Sequence, residues 1–419
     1  VNCKTNRTQR QPAKRLTRRV RSRNLRLETL ESRTLLAAVN WIGESGNWTD
    51  AANWSTGQVP GVNDDVTIND PAAELLVTIP SGAQDVRSLT CQESLTVAGG
   101  SLKVRATSVV AGSFTMQPGT RLTAEGTGAS FATAGATQIN SANLFASGGG
   151  SLSLPGVTTY SPNGSTWHVE GDSSRLSLPD LQNITFATAF VIEAVSKGRI
   201  ELPQLQQITN SSGDYHVYTW IIADGTESVI DLSQLVGFYD NNSSYLSSLE
   251  AKNGGAVLAG QLAQLRGVSL TLDGTGTIPV SQMTVINNGA VTVRGVSRVF
   301  SLLTDGSGTS FTADGVNLGL PELTNLSRGS LTLRNGGTAD VSRVENIDAA
   351  GFHVSGGVTL SLLGITSYSP NGSTWHVEGD SSRLSLPDLQ NITFATAFVI
   401  EAVSKGRIEL PQLQQITNS

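Results

Sequence analysis

Six polar side chains recur beside a repeated leucine phrase: Asp180, Gln204, Gln234, Gln264, Gln282 and Glu322. If that phrase marks successive turns of one coil, the six line a single edge one rung apart. A row of carboxyls and amides is satisfied by water alone and also offers hydrogen bonds to sugar hydroxyls, so it reads first as a solvated ladder and, in the alternative, as a glycan-contact edge. Acid–base chemistry on a glycan asks for more, namely two carboxyls in fixed geometry with their proton affinities set apart. Most of the row is glutamine, whose amide exchanges no proton near neutrality. A second cluster, Asn63, Asp64, Asp65, Asn69 and Asp70, has the oxygen donors that calcium takes. It lacks the spacing of either dedicated calcium loop, D-x-[DN]-x-[DN]-G-x-x-x-x-x-E or GGxGxDxUx. The segment therefore reads first as part of a structural cap and no cofactor is expected, calcium being the alternative.

The histidines, His168, His216, His353 and His376, show no H-x-x-H, HExxH or Cys/His zinc spacing. No G-x-S-x-G, G-x-x-x-x-G-K-[ST] or dinucleotide fingerprint occurs, and glycine runs such as ASGGGS, Ala146 to Ser151, read as turns. These residues predict a non-catalytic protein. A pair of carboxylates on adjacent rungs would instead favour an enzyme acting on polysaccharides.

The elements that would position the row come from the phrase LPxLxxI. Its first apolar position falls at Leu154, Leu178, Leu202, Leu232, Leu262, Val280, Val296, Leu320, Val341, Leu362, Leu386 and Leu410. A recurrence of this length, irregular but centred on roughly two dozen positions, marks stacked supersecondary units. Apolar residues three apart fit neither a period-two strand nor a full helical face. They fit a corner, in which the first leucine points inward, Pro or Ser turns the chain, a polar residue faces water, and the next leucine points inward again. Short β-rich stretches such as Ser165 to Gly171 and Phe186 to Val195 lie between corners. The aromatic content is 5% and the charged content 15%, with 44 glycines. That composition suits strands and turns better than helices. The predicted fold is an all-β, right-handed parallel β-solenoid with irregular rungs of about 16 to 30 residues. Leucine-rich repeats share the period, but their L-x-x-L-x-L-x-x-N/C-x-L core is not reproduced.

Four regions follow: a basic tail over 1–38, a Trp-rich capping segment over 39–70, a Gly/Ser/Thr-rich irregular solenoid over 71–150, and the LPxLxxI solenoid over 151–419. Eleven of the 28 Lys and Arg residues lie between Lys4 and Arg33. From residue 38 onward 17 basic side chains face 32 acidic ones, a net charge of −15, which disfavours nucleic acid as a partner for the body. Cys3 lies in the tail and Cys91 is alone in the body, so the body holds no disulfide framework. No apolar run approaches the roughly 18 residues of a membrane-spanning helix.

Two segments carry resemblances. LRLETLESRTLLAA, Leu25 to Ala38, resembles the LExLExRxLLSA tag found near the N-terminus of many predicted extracellular proteins of planctomycete bacteria, and this implies sorting to the outside. WIGESGNWTDAANWSTGQVPGVNDDVTI, Trp41 to Ile68, is similar to the GxWxxxxNWxxGxVPxxxDDVxI segment that opens many bacterial extracellular, autotransporter-like β-solenoids. Its tryptophans would cover the apolar end of a first rung, or, if exposed, stack on sugars.

Tyr160 to Ser211 and Tyr368 to Ser419 are identical at every position. Folding would preserve leucines and glycines but not every surface residue, so the identity reads as a recent copying event or an assembly artefact. The last residues form an ordinary interior rung, and the array is expected to continue beyond Ser419. Together these readings predict an exported structural or adhesive repeat protein of the cell surface or extracellular matrix. Its expected partners are glycans or other surface proteins, and the alternative is a β-helical polysaccharide lyase or glycoside hydrolase.

Overall fold

The computed structural model describes residues 1–2, 38–72, 74–212, 214, 216–241 and 245–418. The predicted basic tail therefore lies almost wholly outside the described residues. From Ala38 onward the chain is a parallel β-solenoid of about 16 turns, 47% strand, with a single 3-10 turn at Ala51–Asn53 and no α-helix among the described residues.

Each full rung places a strand on each of three faces. The long face is a 15-stranded sheet running from Ala83–Val86 to Val399–Val403. The second face starts as a ten-stranded sheet from Ala38–Asn40 to Ala256–Leu258 and is continued by two three-stranded sheets. The third face is built from sheets of five, six and three strands. Every ladder pairing is parallel, so each strand pairs with its counterpart one rung away. The change of sequence style at residue 150 leaves no break, since Asn143–Ser147 pairs in register with Thr166–Glu170.

Strict alternation explains the faces. On the long face one inward column reads Leu122, Leu144, Trp167, Ile192, Ile221, Leu249, Leu270, Val291, Phe311, Leu331, Phe352 and Trp375, all buried. These residues bury their apolar surface only because the rungs on either side exist. The duplicated segment makes this visible: Ile192 is fully buried, while its identical counterpart Ile400, on the last strand of the long sheet, is 40% exposed.

The turn into the second face needs tight stacking. At Gly198 a Cβ would lie 2.2 Å from the Val169 carbonyl oxygen of the preceding rung, and at Gly406 2.4 Å from that of Val377. Where this position is serine, the hydroxyl is used: Ser174 Oγ is buried, donates to the Glu170 carbonyl at 2.6 Å and accepts from the Gly149 amide at 3.0 Å.

The corners form as predicted, closed by the amide of the second apolar residue donating to the carbonyl of the first. The distances are 3.3 Å for Leu181 to Leu178, 3.1 Å for Leu205 to Leu202 and 2.9 Å for Leu235 to Leu232. Two corners sit elsewhere than the leucine spacing implies. One runs from Ala259 to Leu262, so Leu262 is the second apolar residue of its corner rather than the first; Ala259 is too small to announce itself. The other runs from Phe300 to Leu303, and Val296 is a 46% exposed turn residue outside it. With these corners the spacings from Leu232 to Leu320 become 27, 21, 20 and 20, and the apparent short rung between Val280 and Val296 disappears.

Candidate functional site

Asp180, Gln204 and Gln234 occupy equivalent exposed corner positions on successive rungs, and Gln282 and Glu322 hold the same position farther along. Gln264 does not belong with them. It begins the strand Gln264–Arg266, stacks on Gly237 and accepts a hydrogen bond from the Tyr239 hydroxyl at 3.0 Å, while Gln261 holds the corner. Leu302, 53% exposed, interrupts the polar line between Gln282 and Glu322. Several members serve the scaffold. Asp180 Oδ2 accepts the Gly156 amide at 2.8 Å, Gln282 Nε2 donates to the Ala259 and Pro279 carbonyls at 2.9 and 3.0 Å, and Glu322 is ion-paired with Arg343. What stays open is a broken amide edge centred on Gln204 and Gln234, and its six predicted members bring no two carboxylates to adjacent rungs.

The calcium candidates do not converge. Asp64 Oδ2 accepts the Gly61 amide at 2.8 Å and Asp70 Oδ1 the Ala72 amide at 2.9 Å. Asp65 is held by Arg87, whose Nε donates at 2.9 Å, and by Ser88. The Arg87 hydrogen bonds keep the Asp65 carboxyl below its usual range. Asn63 is exposed, and no group of three or more His, Cys, Asp or Glu side chains able to hold a metal occurs among the described residues.

The tryptophans of the capping segment are interior, not sugar-facing. Trp48 and Trp54 are buried and Trp41 nearly so, with edge-to-face ring contacts of 4.9 Å for both the Trp41–Trp54 and Trp48–Trp54 pairs. Trp54 Nε1 donates to the Trp48 carbonyl at 2.7 Å. An exposed aromatic occurs elsewhere: Trp220, 40% exposed on the outer side of the long face, stacks at 4.5 Å on the half-buried Tyr218. Their period-two spacing at the start of a strand was the available sequence signal.

The histidines make surface pairs. His168 Nδ1 lies 2.9 Å from Glu193, and its counterpart His376 Nδ1 3.0 Å from Glu401. The His353 ring stacks on His376 at 4.8 Å, where Phe145 takes the equivalent place over His168. His216 lies against Tyr245. No nucleophile adjoins a histidine in these contacts.

One constellation escaped the reading of single phrases. On the outer side of the second face Glu201 and Asp231 are register partners on adjacent rungs, the arrangement that would favour an enzyme. Both are engaged. Glu201 Oε1 lies 3.4 Å from Arg175 Nε and 3.7 Å from Arg199 Nε, and Asp231 Oδ1 accepts the Ser233 amide at 2.9 Å. No protein-family model, curated protein or solved structure matches this chain.

Proposed function

We propose that this chain is an exported, non-catalytic β-solenoid that serves as a structural or adhesive element of a bacterial cell surface or matrix. The observation that carries the reading is the division of labour between inside and outside. The interior is one continuous stack of apolar side chains, whereas the outer faces repeat short polar rows at one-rung intervals, including the ion pairs Lys103–Glu125 and Arg334–Asp314 at 2.7 and 2.9 Å. A surface of repeated weak contacts suits multivalent attachment to glycans or neighbouring proteins. The planctomycete-like tag at Leu25 to Ala38 supports the export part of the proposal.

The Glu201–Asp231 pair favours a second reading, a carbohydrate-active β-helix enzyme. It is the weaker one, because both carboxylates are already engaged, Glu201 by two arginines and Asp231 by the Ser233 amide. Immunodetection on intact and lysed cells of the native host tests the proposal: antibody to the solenoid should label intact cells or the surrounding matrix. Signal confined to lysed cells would overturn it.

A further inference from the structure

We propose that each of the two identical copies, Tyr160 to Ser211 and Tyr368 to Ser419, carries an arginine-lined cleft that binds the carboxylate or sulfate groups of an acidic polysaccharide. The inference rests on the surface-adhesive reading and names its ligand class. Each copy contains three Lys or Arg residues, Arg175, Lys197 and Arg199 in the first and Arg383, Lys405 and Arg407 in the second. The rung period brings them together. Arg175 stacks in register on Arg199, and Arg383 on Arg407, on the outer side of the second face, with the lysine in the turn leading into the same strand.

Three observations point to an anion. Like charges in register on adjacent strands repel and destabilise a sheet, and Arg175 on Arg199 is such a pair. In the first, one carboxylate, Glu201, is shared between two guanidiniums, leaving most of their donors unused, and Arg199 Nε is buried with no hydrogen-bond partner. Lys197 and Lys405 also hold positive φ, in the left-handed region that a long side chain enters only at a cost. Finally, both arginine pairs open onto a cleft. In the first copy it measures about 430 Å³ and is lined by Asp172, Ser173, Arg175, Lys197, Arg199, Glu227 and Val229. In the second it measures about 230 Å³ and includes Asp380, Arg383 and Arg407. Some cationic charge is already spent. Lys197 lies 3.8 Å from Glu227, Lys405 3.8 Å from Asp380, and Arg383 3.2 Å from Glu409. Each stacked arginine pair is nevertheless met by a single carboxylate, Glu201 in the first copy and Glu409 in the second, inside a body that is otherwise strongly acidic.

The planar guanidinium fork suits carboxylate and sulfate oxygens. Adjacent rungs lie about 4.8 Å apart, so paired arginines present two such forks side by side. Nine rung steps separate the copies. At that spacing they stand about 43 Å apart along the same face, and one polymer reaching both would gain avidity.

The test uses the full chain with three immobilised probes, polygalacturonate, a sulfated galactan and a neutral glucan, and inorganic sulfate as competitor. Arg175→Gln/Arg199→Gln should weaken binding to the acidic polymer by about tenfold, and adding Arg383→Gln/Arg407→Gln should abolish it. The side chains of Arg175, Arg199 and Arg383 are 41 to 52% exposed, so unchanged circular dichroism is expected of the variants. Lys197→Gly, which suits the left-handed turn, should weaken binding without lowering the melting temperature. Preference for polygalacturonate identifies carboxylate as the ligand, and preference for the galactan with competition by sulfate identifies sulfate. Equal binding by the wild-type and four-substitution proteins, or no binding of either acidic polymer, overturns the proposal. The adhesive reading fails separately, through the cell-labelling experiment.

Discussion

Replacing one isoleucine at two places in identical sequence isolates what a neighbouring rung contributes. Ile192 lies between Trp167 and Ile221 in the inward column of the long face and is fully buried; Ile400 stacks on Trp375, lies on the last strand of that sheet among the described residues and is 40% exposed. Ile192→Ala removes the transfer free energy of the lost carbons and leaves a cavity, a cost of about 3 kcal/mol for a sealed site. At Ile400 the transfer part is reduced by the existing exposure and solvent fills the space, so Ile400→Ala should cost roughly 1 kcal/mol. The difference of about 2 kcal/mol corresponds to roughly 30-fold in an unfolding equilibrium. Urea titration of this chain and the two variants, followed by far-UV circular dichroism, should show a clearly larger drop in midpoint for Ile192→Ala with an unchanged slope. Equal drops would refute the claim that burial here comes from the adjacent rung.

Three further outcomes follow from individual groups. Burial pushes the Cys91 thiol up to about 12, so an aromatic disulfide reagent should leave it unmodified in the folded protein and react once denaturant is added; prompt reaction without denaturant would contradict its interior placement. Burial, and after it the charge of His376, holds the His353 imidazole below its usual 6.5. Its folded value is the lower one, so its contribution is complete above about 6.5 and is lost as pH falls through the folded value. His353→Phe, which copies Phe145 of the other rung, should therefore melt closer to its neutral-pH temperature at pH 5 than wild type does. Since Asp64, Asp65 and Asp70 are spent on local hydrogen bonds, a chelator should leave the melting temperature unchanged, and a fall of several degrees restored by calcium would argue against that assignment.

The fold was legible because corner chemistry repeats. Leu178, Leu202, Leu232 and Leu386 each begin a corner at the place the LPxL phrase marks. The pattern misleads where a corner begins on a small residue, Ala259, or on a phenylalanine, Phe300, because a nearby apolar residue, Leu262 or Val296, fits the leucine spacing better. The candidate edge was legible only in part. Position in a corner follows from local sequence, but whether a corner carboxylate is free depends on the turn one rung away, as with Asp180 and the Gly156 amide. The arginine stack was encoded in the same interval that stacks Leu178 and Leu202, yet reading leucines alone hid it. The Glu201–Asp231 pairing needs the longer rung that follows, and so it emerges only with the strand register.

The central claim is that the outer faces bind glycans without cleaving them, and co-sedimentation with insoluble acidic and neutral polysaccharides, with new reducing and unsaturated chain ends assayed in the supernatant, tests it most directly. The protein should pellet with acidic polysaccharide and release no new ends. Release of ends that disappears in Glu201→Gln would contradict it.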